Sequence, residues 1–188
     1  MQCSANIPLH LTYGTMRAVS PPANMPAIWS FINPGRTLDI GGVHIHPFAV
    51  PHDAREPVQF VFDDGRHRLG VLTDLGFCSA HVVRSLERLD ALVLESNHDE
   101  QMLANSAYPW SLKKRISSDY GHLSNEAAAA LLAKIDQSRL NHVLAAHLSR
   151  QNNRPELAQR ALSMAWGVTP EEIGIVDQDA GLCWLDLE

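Results

Sequence analysis

Residues 44–54, HIHPFAVPHDA, place three histidines within nine positions. Histidine is the commonest metal-ligating side chain, and two neutral imidazoles with a carboxylate form the ligand set expected for zinc, manganese or iron. Candidates for such a set recur just beyond apolar runs: His52 after HPFAVP, Asp74 after LGVLT, Glu95 with Asn97, His98 and Asp99 after ALVL, and His147 after HVLAA. Loops at strand C-termini are where α/β proteins place their chemistry. A carboxylate there can bridge two cations, which lowers the pKa of a shared water into the neutral range. Singly, each residue has a plainer explanation: Asp74 as the cap of the following helix, His147 as a satisfied core histidine. Their recurrence at successive strand ends favours a joint site.

The His44-x-His46 pair is the weaker candidate. In an extended strand the two rings share one face, with Val43 and Ile45 on the other, and nothing acidic or imidazole follows closely. A solvated strand face accounts for the pair. His52 lies past the strand, after Pro51 and before Asp53, and is the better ligand.

The elements that must position these residues are those of an α/β chain. RTLDI and VHIHPFAV are expected as strands joined at Gly41-Gly42, and VQFVF and RLGVLTD as strands flanking a turn at Asp64-Gly65. Residues 20–35 read as an irregular excursion with one short helix. Beyond them strand and helix alternate. FCSAHVVRSLER has Val82, Val83, Leu86 and Leu89 at helical spacing, and ALVLES is a buried-type strand. DEQMLANS and PWSLKKRIS are short helices, the second with Pro109 near its first turn. SNEAAAALLAKID is a helix capped by Ser124 or Asn125, HVLAAHLS a strand, and RPELAQRALSMAW a helix. EIGIVDQDAGLCWLDL closes the chain as two strands around Asp179-Ala180-Gly181. The pattern predicts a hairpin-built sheet first and helix-covered strands after, in one domain over residues 1–188.

Composition sets outer bounds. With 45% hydrophobic and 19% charged residues among 188, the chain is of ordinary globular type. No run approaches the about 18 apolar residues of a membrane span, and the first residues lack the pattern of a secretory signal. Cys3, Cys78 and Cys183 are odd in number and far apart, which points to free thiols in a reducing cytoplasm. The net charge of −6 argues against coating nucleic acid by bulk attraction, though a nuclease depends on local charge and metal instead.

VPHDAREPVQFVF, GVLTDLG, LVLESNHD, YPWSLKKRISSDYGHLSNEAA and AAHLSRQNN together resemble the WalJ/YycJ-like branch of the metallo-β-lactamase superfamily, from about Thr12 onward. The resemblance implies an αββα sandwich with a dinuclear zinc or manganese site at one edge of two sheets. It also implies metal-dependent phosphodiester hydrolysis with nuclease activity on DNA, and a likeness in motif order to tRNA 3′-processing endonucleases. Carried onto this chain, it makes His52 and His147 metal ligands and Asp74 the carboxylate that bridges the metals. His122 in GHLSN matches a histidine that protonates the leaving oxygen, and Glu95 the acid that orients it. A cationic imidazole beside a developing alkoxide suits general acid catalysis. Packing of His122 in the turn before the NEAAAALL helix is the structural alternative.

The superfamily's His-x-His-x-Asp-His is absent, and HIHPFA, with no Asp-His, does not replace it. By the resemblance that motif precedes IPLHLTYGT, so Met1 falls inside the fold and roughly 60 to 90 residues, enough for several strands, are missing. A start at an internal methionine, a fragment and a truncated paralogue are all compatible with this. With three inherited ligands, partial occupancy by at most about one ion is expected. Toward substrate, Lys113, Lys114 and Arg115 beside Tyr108 and Trp110 form the densest basic cluster. They suit a nucleic-acid backbone with an aromatic face for a base; a solvated helix face with Trp110 in the core is the alternative. Asn97 and His98 are further substrate-side candidates. Asn152 and Asn153 suit phosphate contact or, preferably, capping of the RPELAQ helix. The competing functions are small-molecule, thioester-type hydrolysis on the same scaffold and a non-catalytic interaction module.

Overall fold

A computed structural model of the chain describes residues 8–19 and 28–187. Strands β1 (Leu9–Leu11) and β2 (Trp29–Phe31) pair in parallel as a separate two-stranded sheet. Helix α1 (Tyr13–Ala18) follows β1. The main sheet holds seven strands in chain order: β3 (Leu38–Ile40), β4 (Val43–Ala49), β5 (Val58–Asp63), β6 (Arg68–Leu72), β7 (Ala91–Glu95), β8 (His142–Ala146) and β9 (Ile173–Ile175).

Connection length explains the mixed pairing. Short links bring β3 to β6 together antiparallel. Gly41 and Gly42, both at positive φ (64° and 87°), make the two-residue turn whose mirror-image twist matches a hairpin. From β6 to β9 the strands run parallel, which needs long crossovers. These carry α2 (Ala80–Ser85), α3 (Glu100–Asn105), α4 (Trp110–Ile116), α5 (Asn125–Leu132) and α6 (Pro155–Trp166). Side-chain caps start three of them: Ser79 accepts from Val82 N–H, Asp99 from Met102 N–H and Ser124 from Ala127 N–H.

Register places Val61, Leu72, Leu92, Leu94, Val143 and Ala145 on one face. There they form a buried cluster with Val82, Leu86, Leu131, Leu132 and Leu162 from the helical crossovers. Ile45, Phe60, Phe62, Leu69, Val71 and Val93 lie on the other face and are only half-buried. No helix among the described residues is long and apolar enough to cross a membrane.

The hairpin region and the helix-covered strands follow in the expected order and join as one continuous sheet, because β6 pairs with β5 on one side and β7 on the other. Other expectations need correction. Within residues 20–35, positions 20–27 lie outside the described residues; the rest contains β2 and no helix, since 29–31 pair with β1. Helix α2 ends before Leu86 and Leu89, which are nevertheless fully buried. Pro109, by contrast, stands where expected, next to the first turn of α4, as its N-cap. The last predicted strand does not form: after the Asp177–Gly181 bridge the chain runs irregularly, with Trp184 fully exposed. Apolar composition alone does not make a strand without a partner for its backbone groups.

Candidate metal centre

β6, β7 and β8 are adjacent and parallel, with Leu72 opposite Leu94 and Glu95 opposite Ala146. Asp74, Glu95 and His147 therefore emerge at the same edge of the sheet. His52 comes from the loop after β4, which is tied down by Gly76 N–H donating to Pro51 O (2.9 Å) and Asp53 N–H donating to Tyr120 O (3.0 Å). His122 lies between α4 and α5, held by its own N–H to Ile116 O (2.9 Å) and by Asn97 N–H to Leu123 O (3.0 Å). The structure brings all five side chains together. One donor atom from each of Asp74, Glu95, His122 and His147 lies within 4.8 Å of the others. His52 Nε2 is 3.8 Å from Asp74 Oδ1, and the ring centroids of His52 and of His147 each lie 5.2 Å from that of His122.

Glu95 organises the cluster. Its buried carboxylate accepts from His122 Nδ1 and His147 Nδ1, both at 2.7 Å, and from the N–H groups of Leu75 (3.0 Å) and Leu123 (3.4 Å). Burial by itself raises the pKa of this group. The hydrogen bonds from His122 and His147, the charge of His122 and the Leu75 N–H outweigh that and hold it at about 2. The same hydrogen bond raises the pKa of His147 against the opposing effect of its burial.

These bonds assign the tautomers. An ionised carboxylate only accepts, so His122 and His147 carry their protons on Nδ1. His52 Nδ1 lies 3.1 Å from Gly121 O, also an acceptor only. Nε2 of His52 and of His147 is thereby left as an acceptor, the form a ligating histidine presents; that of His52 lies 3.5 Å from Asp53 Oδ1 and 3.8 Å from Asp74 Oδ1.

The backbone supplies an independent sign. Asp74 (φ 55°) and His147 (φ 58°) are two of the non-glycine residues at positive φ, a conformation that costs free energy and concentrates at functional sites. The plainer explanations fail here. Ser79, and not Asp74, caps the next helix; His147 is partly exposed at the sheet edge and no core residue; His122 bonds to Glu95 in addition to lining its turn.

The other candidates separate. Neither strand histidine joins the cluster: His44 is exposed and faces Asp39 (3.3 Å), whereas His46, half-buried and in register with Val61 on the helix-covered face, faces Thr37 Oγ1 (2.9 Å), so a solvated face accounts for His44 alone. Asn97 donates to His147 O (3.0 Å) and acts as a strut. His98 is buried, as is Asn152. Lys113 and Lys114 line a cleft beside His122. Arg115 instead pairs with Asp53 Oδ2 (2.5 Å), next to His52. Trp110 is exposed, contrary to a place in the core. The expected capping role is overturned: Arg154 is the N-cap of α6, with no side-chain cap bond. Asn153 instead forms a reciprocal amide pair with Asn125 (2.9 Å each way) and donates to Ser96 O. That pair, and the Gly121 carbonyl, were not visible from residue types or spacing.

The donor atoms close enough to share one divalent ion are those of Asp74, Glu95, His122 and His147, and His52 adds an imidazole beside Asp74. Two imidazoles with a carboxylate from such a set are what an open, catalytic-type site uses. Glu95 already accepts from two imidazoles and two backbone N–H groups, an arrangement suited to orienting its neighbours.

Residues 1–143 match the family described as "Beta-lactamase superfamily domain". The chain is 39% identical over 141 residues to exodeoxyribonuclease YycJ of Bacillus anthracis, covering 74% of this chain and 53% of that protein. It is 37% identical over 128 residues to exodeoxyribonuclease WalJ of Streptococcus pneumoniae, covering 68% and 48%. The chain thus spans about half the length of the curated relatives it matches. Among solved structures, the metallo-β-lactamase fold protein YhfI of Bacillus subtilis superposes with a TM-score of 0.68 at 13% identity, covering 93% of this chain and 63% of that one. Zn(2+)-bound PqqB of Methylobacterium extorquens superposes at 0.65 and 16%, covering 92% and 62%. The chain belongs to the metallo-β-lactamase superfamily, as a WalJ/YycJ-like protein.

Proposed function

We propose that this chain carries the centre of a metal-dependent phosphodiesterase that cleaves DNA. The observation that carries the reading is the convergence of Asp74 with three imidazoles whose tautomers are set by Glu95 and Gly121. The exodeoxyribonuclease names of its relatives support DNA as the substrate.

His52, Asp74 and His147 would hold a zinc or manganese ion. When bound, such an ion neutralises charge on phosphoryl oxygens and lowers the pKa of water into the neutral range. His122 donates a proton to the leaving 3′-oxygen from Nε2 while Glu95 holds its Nδ1–H. Glu95 keeps the ring oriented and compensates the positive charge of the donor form. Arg115 positions the His52 loop through Asp53. Free Cys78 and Cys183 suit a reducing, cytoplasmic setting.

Incubation of the metal-loaded chain with end-labelled single- and double-stranded DNA tests the reading. Cleavage that stops on chelation and in Asp74→Ala is expected. Metal-replete protein that leaves DNA intact would overturn it.

A further inference from the structure

Two clefts flank the cluster. The smaller, about 440 Å³, is lined by His147, Ser149 and Arg150. The larger, about 860 Å³, is lined by His122, His98, Tyr108, Trp110, Lys113 and Lys114, a size that seats a small organic ligand. A strand crossing the centre therefore has space on both sides, and His122 lines the larger.

The larger cleft has the chemistry of a nucleotide seat. Trp110 is 74% exposed at the first turn of α4. A large aromatic surface left in water beside a catalytic residue is a platform for a flat ligand. Lys114 Nζ sits over one face of its ring, 5.1 Å from the centre, which places a cation against the platform while most of the Trp110 side chain stays in water. Lys113 Nζ donates to Ala104 O (2.6 Å), so that a second cation is pinned to the wall. His98 is 2% exposed, and its Nδ1 has no hydrogen-bond partner among the described residues. The remaining acidic residue of the lining, Glu100, is engaged by Ser124 Oγ (3.2 Å). An aromatic face flanked by cations matches a base and its phosphate.

Resting on the nuclease reading above, we propose that this cleft is a subsite for the leaving nucleotide, with its base stacked on Trp110 and its 5′-phosphate beside Lys113 and Lys114. In the step it serves, water oxygen bonds to phosphorus as the P–O3′ bond breaks and O3′ takes the proton of His122. One water proton stays on the new 5′-phosphate of the remaining strand, and the other passes to solvent, from which His122 is reprotonated. The nucleotide in the cleft then departs with a free 3′-hydroxyl.

Equilibrium binding in chelator separates this proposal from catalysis. Deoxyadenosine 5′-monophosphate is titrated into the full chain while tryptophan fluorescence is followed. Saturable quenching is expected, with deoxyribose 5-phosphate and inorganic phosphate binding more weakly. Trp110→Ala should lower the affinity for the nucleotide by about 5- to 150-fold, the worth of one stacked base, and remove most of the quench. Trp110→Phe should retain most of the affinity, and circular dichroism should show both variants folded. Equal affinity in wild type and Trp110→Ala, or equal binding of deoxyribose 5-phosphate, would overturn the subsite even if the loaded protein cleaves DNA. Nucleotide binding that depends on Trp110 in a protein that leaves DNA intact would uphold the subsite and overturn the nuclease reading.

Discussion

His122 Nδ1 lies 2.7 Å from Glu95 Oε1, inside a carboxylate that is fully buried. The same oxygen is 2.7 Å from His147 Nδ1. One anion thus orients both a proposed ligand and a proposed proton donor, and the two histidines can be told apart only by what their Nε2 atoms do.

Replacing His122 with alanine should lower turnover on DNA by roughly 10²–10⁴-fold, the usual worth of a general acid, with metal content unchanged. On a phosphodiester with an activated aryl leaving group, which scarcely needs protonation, most of the penalty should disappear. Kinetics on the two substrates, with metal analysis, check this. An equal penalty on both, or lost metal, would make His122 a ligand or a structural residue.

Asp74→Ala should lose metal and activity together, whereas His44→Ala should change neither. The wild-type chain should bind about one ion, because three ligands complete one open site. Elemental analysis after dialysis measures this. Two tightly held ions per chain would contradict it.

Acid should destabilise the metal-free protein through Glu95. Its pKa is depressed from 4.5 to about 2 on folding. Its contribution is therefore complete above pH 4.5 and fades as the pH falls toward 2. The pKa of His147 is raised from 6.5, so its contribution is complete below that value and is lost as the pH rises through the raised one. Glu95→Gln should flatten both slopes and cost on the order of 2–3 kcal/mol near neutrality. Urea melts of both proteins across pH 3–8 would show whether the slopes flatten.

Gly121→Ala should harm fold and site alike. A Cβ there would stand 2.1 Å from Ile116 O and 2.3 Å from Arg115 O, both backbone atoms that cannot swing aside. A loss of about 2–4 kcal/mol is expected. Metal affinity should also fall, because the displaced Gly121 carbonyl is the acceptor for His52 Nδ1. Unchanged melting and metal affinity would contradict this.

The half-buried face carrying Ile45, Phe60, Phe62, Leu69, Val71 and Val93 should bind a hydrophobic dye in the native protein. Phe60→Ser with Phe62→Ser should reduce that signal. A native protein that leaves the dye dark would show that the face is covered in solution.

The local pattern of the chain was enough to place most elements and the polar residues at their ends. Apolar runs ending in His52, Asp74, Glu95 and His147 marked one edge of a sheet, and alternation put His44 and His46 on a shared strand face, though not the helices that half-bury His46 there. What it could not supply were relations set by the folded path. His52 meets Gly121 across 69 positions, Arg115 meets Asp53 across 62, and Asn125 meets Asn153 across 28. Positive φ at Asp74 and His147, a conformation that Asp and His adopt more readily than most residues, was likewise not marked by the local pattern. Residue type and spacing determine which groups are available at a strand end. Distance, tautomer and backbone strain depend on contacts between segments remote in sequence, and only the tertiary structure decides those.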